Sequence, residues 1–221
     1  MRIKICGITN VEDALQAASL GADAIGLNFY PRSPRCVSEE TAAQIVRCLP
    51  PFIEPVGLFV NEPLAEVVER VRRMGFLPTI QWHGDKHEIP AAMPYHFIPA
   101  FQVQDAARLA VVTDYLQRCR QGGRPPEAIV IDGHIAGEFG GTGQAAPWPL
   151  LADFQPGVPL ILAGGLTPEN VAEAIRIVRP YGVDVASGVE VTPGRKDSEK
   201  MRRFVENTRE AARRIASSSC S

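Results

Sequence analysis

The sequence predicts an α/β protein built as a single closed (β/α)8 barrel of eight parallel strands, the TIM-barrel architecture. Three observations predict it. Short β-rich runs alternate with amphipathic stretches along the 221 residues, giving about eight strands, each followed by a helix or a loop that could hold one. Glycine recurs at helix ends just before a strand, in Leu20-Gly-Ala-Asp-Ala24, Met74-Gly-Phe76 and Tyr181-Gly-Val-Asp-Val185, where its left-handed conformation turns the chain back cheaply. The first turn, Cys6-Gly-Ile-Thr9, lacks the G-x-G-x-x-G of a doubly wound open sheet.

The elements follow in order. Arg2 to Cys6 is the first strand, and Val11 to Leu20 the first helix, capped by Thr9 or Asn10 with Glu12 and Asp13 at its positive end. Ala24 to Phe29 is the second strand, and Ser38 caps a helix reaching about Cys48. Val56 to Val60 is the third strand. Glu62 to Met74 is a helix with Pro63 in its first turn, where a missing N–H costs nothing. Thr79 to Trp82 and His96 to Phe101 are the fourth and fifth strands, the latter weakened by Pro99. Gly84 to Met93, between them, is too interrupted by proline to read as a helix. Gln104 to Cys119 is helical, and Ala128 to Ile131 and Leu160 to Ala163 are strands six and seven. Thr167 caps a helix from Pro168 to Val178, Val183 to Ala186 is the eighth strand, and Asp197 to about Ile215 closes the pattern as a long helix. Residues 1–216 are expected to form one domain, with 217–221 as a frayed tail.

Composition narrows the function. With 23 Lys+Arg against 25 Asp+Glu the net charge is −2, which speaks against a nucleic-acid or polybasic membrane surface. The longest apolar runs, such as Pro159 to Ala163, fall far short of the ~18 residues of a spanning helix. The start of the chain carries charges among its apolar residues and does not resemble a secretory signal. The five cysteines are odd in number, widely spaced and without a C-x-x-C pair, so reduced thiols and a cytoplasmic location are expected, with no metal. The expected partner is a small phosphorylated molecule, with no nucleic acid and no membrane. Monomer and homodimer both remain open.

In such a barrel the active site lies at the C-terminal ends of the strands. Cys6 ends the first strand there, His83 the fourth and Asp132 the sixth. Each has a plain alternative: Cys6 as a small core filler, Asp132 as a loop-capping carboxylate, His83 as a structural imidazole. Glycines are more telling. Gly140-Gly-Thr-Gly143 follows strand six, Gly164-Gly165 strand seven and Ser187-Gly188 strand eight. Loops after strands seven and eight hold phosphate in many barrels, because glycine lets backbone N–H groups approach the anion. In the loop after strand two, Arg32 and Arg35 are equal candidates to grip a substrate carboxylate.

Together Lys4-Ile-Cys-Gly-Ile-Thr9, Phe29-Tyr-Pro-Arg-Ser-Pro-Arg35, Val56-Gly-Leu-Phe-Val-Asn61, Gln81-Trp-His-Gly84, Gly140-Gly-Thr-Gly143, Ala163 to Asn170 and Val183 to Glu190 resemble phosphoribosylanthranilate isomerases, in order from residue 3 to about 205. The resemblance implies an Amadori rearrangement of a phosphoribosylated anthranilate in tryptophan biosynthesis. It implies Cys6 as general base, Asp132 as general acid and Arg35 as the carboxylate clamp. Gly164, Gly165, Ser187 and Gly188 would take the phosphate, Asp184 would lie near the sugar, and His83 and Gly141 would also contact substrate. Two departures stand out: Trp82 occupies a position where an aliphatic residue is expected, and residues 85–102 match poorly.

The chemistry asks for these residue types. Opening the furanose requires an acid that keeps its proton near neutrality, so a carboxyl raised by burial is expected. Removing the C2 proton requires a base, so a thiol lowered towards neutrality is expected. No redox change occurs and the substrate nitrogen forms its own imine, so no cofactor is expected. Two other readings remain: a different sugar-phosphate barrel enzyme, which would place Glu or Lys at the strand ends, and a barrel that binds phosphorylated ligands without turning them over.

Overall fold

The structure is a computed structural model that describes residues 1–84, 88–90, 93–133 and 148–218. Eight parallel strands close into a barrel in sequence order: β1 (Arg2–Cys6), β2 (Ala24–Asn28), β3 (Glu54–Val60), β4 (Thr79–His83), β5 (His96–Gln102), β6 (Ile129–Asp132), β7 (Leu160–Ala163) and β8 (Gly182–Val185). Closure comes from β1 pairing with β8, Ile5 opposite Val185. Helices α1 (Val11–Ser19), α2 (Glu39–Cys48), α3 (Leu64–Met74), α4 (Ala106–Gln121), α5 (Trp148–Leu151), α6 (Val171–Val178) and α7 (Ser198–Ser218) intervene or follow.

Strand periodicity sorts the residues between two cores. One set, including Ile3, Ile5, Ile25, Leu27, Phe59, Ile80, Ile129, Ile131, Leu162 and Val183, is fully buried in the large cluster shared with the helices. The alternate set lines the barrel axis. Towards β5–β7 it is apolar, with Ala100, Val130 and Ala163 packed against Ile98 and Ile161. Towards β1, β4 and β8 it is polar, with Lys4, Gln81 and Asp184 all buried.

The helix boundaries refine the sequence reading. Asn10, not Thr9, caps α1, its side chain accepting the Asp13 N–H, and Ser38 caps α2 as expected. Pro63 stands one residue before α3, and Asp105 caps α4. Thr167 does not cap α6. Its hydroxyl accepts the Glu169 N–H in a local turn, and the helix starts at Val171. The final helix runs past Ile215 to Ser218. The sequence reading missed α5 and a small antiparallel pair, β9 (Glu190–Thr192) with β10 (Arg195–Lys196).

Candidate active site

The C-terminal ends of the strands surround a cavity of about 280 Å³, and Cys6, Arg35, His83, Asp132, Gly164, Gly165, Asp184 and Ser187 all stand on its wall. A larger groove of about 670 Å³ lies between α6 and α7. Its charged residues belong to the outer helical surface, where Glu173–Arg176 and Glu210–Arg214 pair along the helices, so the strand-end cavity is the chemical one.

Cys6 and Asp132 end β1 and β6, with β7 and β8 between them around the barrel. The local design of β1 explains how the thiol is presented. Gly26 sits beside Cys6 on β2, and a Cβ there would lie 2.6 Å from the Cys6 sulfur and 3.1 Å from Lys4 Nζ. Only glycine leaves room for both. Gly7 follows with φ +74°, and a Cβ on it would strike the Arg35 side chain at 2.5 Å. The Cys6-Gly7 step therefore also makes space for the arginine stem.

The expected lowering of the Cys6 thiol is not what the surroundings produce. Burial pushes the thiol up; the positive charges of Lys4 and Lys196 pull it down without cancelling that, and Asp184 adds to the rise. Lys4 and Asp184 form a buried ion pair, Nζ to Oδ2 2.9 Å. Burial works against the Lys4 ammonium, but Asp184 and Cys6 outweigh it and raise its pKa. Asp184 Oδ1 is buried and has no hydrogen-bond partner among the described residues.

His83 lies 2.9 Å from Gln81 through its Nε2. Burial, helped by the charge of Lys4, lowers its pKa to about 4. The imidazole is therefore neutral at pH 7 and can accept at Nε2. Trp82, the aliphatic-to-indole departure, is accommodated by its neighbours: its N–H donates to the Glu62 carbonyl at 2.9 Å. A Cβ on Gly84 would meet the indole ring at 1.8 Å.

The two arginines separate. Arg32 is exposed, whereas Arg35 is on the cavity wall. Arg35 is also held by a residue that sequence reasoning missed. Glu190 accepts from Arg35 Nε at 2.8 Å and NH2 at 2.6 Å. The same carboxylate accepts from Lys196 Nζ at 2.9 Å and Gly194 N–H at 3.2 Å. Burial opposes its ionisation, but Arg35 and Lys196 outweigh burial and hold Glu190 below the usual carboxylate range. Two donors of Arg35 are committed to this fork, and the remaining ones stay available to a ligand.

Gly164 (φ +87°) and Gly165 (φ +64°) turn the chain after β7 in a conformation that favours glycine. Gly188 does not line the cavity; a Cβ there would overlap the Leu166 carbonyl oxygen at 1.9 Å, so it brings the loops after β7 and β8 together. Among the described residues, the N–H groups of Gly164, Gly165, Ser187 and Gly188 donate to no protein acceptor. Gly141 and its glycine-rich neighbours lie outside the described residues.

Three comparisons place the chain among known proteins. The family model described as N-(5'-phosphoribosyl)anthranilate (PRA) isomerase matches residues 3–207. The chain belongs to that family. It is 45% identical over 213 residues to the N-(5'-phosphoribosyl)anthranilate isomerase of Trichlorobacter lovleyi, covering 96% of this chain and 99% of the relative. The crystal structure of phosphoribosyl anthranilate isomerase from Thermotoga maritima superposes with a TM-score of 0.82 and 38% identity, covering 95% of this chain and 99% of the other. A crystal structure of a phosphoribosyl anthranilate isomerase in complex with reduced 1-(o-carboxyphenylamino)-1-deoxyribulose 5-phosphate gives a TM-score of 0.78 and 36% identity, at 95% and 99% coverage. Membership puts the alternative of a sugar-phosphate barrel with Glu or Lys at its strand ends aside. Among the described residues no helix is long and apolar enough to cross a membrane.

Proposed function

We propose that the protein converts N-(5-phosphoribosyl)anthranilate into 1-(2-carboxyphenylamino)-1-deoxyribulose 5-phosphate, an aldose–ketose isomerisation of tryptophan biosynthesis. The observation that carries the reading is that Cys6 and Asp132 share one cavity with Arg35 and the Gly164-Gly165 turn, in a chain of this family.

Asp132 donates its proton to the furanose ring oxygen. The C1–O bond breaks and the anthranilate nitrogen lone pair forms an iminium at C1. The Cys6 thiolate takes the C2 proton, and the electron pair moves to C1=C2 and on to nitrogen, giving an enaminol. This ketonises by gaining a proton at C1 and losing one from the C2 hydroxyl, so substrate and product are isomers and the protein contributes only proton transfers. Arg35, oriented by Glu190, takes the anthranilate carboxylate through its uncommitted donors. The N–H groups of Gly164, Gly165 and Ser187 take the phosphate, while Gly188 holds the two loops together. A cytoplasmic location suits a base that has to remain a reduced thiol.

The test is the loss of anthranilate fluorescence when phosphoribosylanthranilate is offered. A decay faster than the uncatalysed one and proportional to protein supports the reading. Tight binding of the phosphorylated product analogue with no catalysed decay overturns it in favour of a non-catalytic barrel.

A further inference from the structure

Burial of Cys6 makes its ionisation costly, so the barrel has to provide a counter-charge where the base is formed. Lys4 lies two residues earlier on β1, which places both side chains on the same inward face. Both meet over Gly26, where neither the sulfur nor Nζ leaves room for a Cβ. The ammonium is nearly enclosed, at 7% side-chain exposure, as is its partner Asp184. Nothing in the proposed proton transfers requires an ammonium at this depth, and a buried lysine is expensive unless it serves a charge.

We infer that Lys4 is the positioning residue for the general base: its ammonium is shared between the Asp184 carboxylate and the Cys6 sulfur, and it stabilises the thiolate. This rests on the reading of Cys6 as the base. Other charges reach the same sulfur. Lys196, from β10, and Arg35, from the loop after β2, act in the same direction as Lys4. Asp184, from β8, acts against it. His83 and Asp132 stand on the wall of the same cavity. Lys196 and Arg35 already share Glu190, which leaves Lys4 as the cation that pairs with a carboxylate on one side and stands beside the sulfur over Gly26 on the other. The pair gives a signature of opposite signs. Removing the Lys4 charge leaves Asp184 facing the sulfur and raises the thiol pKa. Neutralising Asp184 releases the ammonium to the sulfur and lowers it.

The experiment follows the rate of iodoacetamide alkylation at Cys6 against pH. Mass spectrometry of the Cys6 peptide separates it from the other four cysteines. Lys4→Met is expected to move the midpoint up by at least one pH unit, slowing alkylation at pH 7.5 by tenfold or more, with kcat falling in parallel and recovering at higher pH. Lys4→Arg is expected to restore most of the wild-type profile. Asp184→Asn is expected to move the midpoint down. A Lys4→Met protein that alkylates with the wild-type profile overturns the proposal. If Lys4→Met does not fold by circular dichroism, Asp184→Asn decides alone, and an unchanged or raised midpoint overturns it. The reading of Cys6 as base fails separately, if Cys6→Ser keeps its kcat, whatever the alkylation profiles show.

Discussion

Acidification should weaken this fold through His83 well before most carboxylates titrate. The folded imidazole has a pKa of about 4 against an ordinary 6.5, because burial and the nearby Lys4 charge disfavour its protonated form. The unfolded chain therefore takes up the proton first as pH falls. The stabilisation is fully present above pH 6.5, declines between 6.5 and about 4, and is gone below. That interval corresponds to roughly 3 kcal/mol at about 1.36 kcal/mol per pH unit, an upper figure because the ring borders the cavity. The comparison that isolates it is urea unfolding of the wild type and His83→Gln from pH 4 to 7.5. The wild type should lose up to about 3 kcal/mol more than the variant over that interval, with the extra loss starting near pH 6.5. In a direct NMR titration His83 should remain neutral at pH 5. Parallel stability curves, or an imidazole that titrates near 6.5, would refute the account of a ring desolvated beside a cation.

Three other outcomes are expected. Cys6→Ser and Asp132→Asn should each keep the fold and lose about 10²–10⁴-fold in kcat, the usual contribution of a positioned acid or base; a near-normal kcat with a slightly lowered melting temperature would return Cys6 to the role of core filler. Arg35→Ala should raise KM by a factor corresponding to about 1.5–3 kcal/mol for a charged hydrogen bond, whereas exposed Arg32→Ala should leave it nearly unchanged, and steady-state kinetics showing the reverse would reassign the clamp. Gly188→Ala drives a methyl into the Leu166 carbonyl, so it should cost about 1–3 kcal/mol in urea unfolding and raise KM for the phosphorylated substrate; unchanged values for both would remove Gly188 from the phosphate loops.

The fold was legible because its signals are local. A glycine stop such as Gly75, in the left-handed conformation at the end of α3, and a serine cap such as Ser38 act within a turn of their own positions. The strand ends then assign themselves, and Cys6, His83 and Asp132 arrive on one cavity. The β9–β10 pair was illegible for the opposite reason. Two strands of three and two residues carry too little alternation to be read, and the hairpin is held by Glu190 and Lys196 rather than by an apolar stripe.

The charges inside the barrel show where sequence patterning misleads. In Arg2-Ile-Lys-Ile-Cys6 the alternation puts Ile3 and Ile5 on one face and Lys4 on the other, which in a half-exposed strand means core and solvent. A closed barrel has no solvent face at that position. The second face looks down the axis, where Lys4 meets Asp184, 180 residues away. Arg35 likewise meets Glu190 across 155 residues. Such partners cannot be inferred from spacing, because closure of β1 on β8 is what brings them together. The same closure sets the electrostatics of the base. The motif around Cys6 supplies a thiol, but its protonation depends on which carboxylate and which ammonium the eighth strand and its hairpin deliver. The thiol was expected to be lowered; in the fold its burial is offset only in part, by cations whose own counter-ions come from β8 and from Glu190 beyond it. A substitution at Asp184 or Glu190 therefore alters the chemistry at Cys6 without touching the motif that names it.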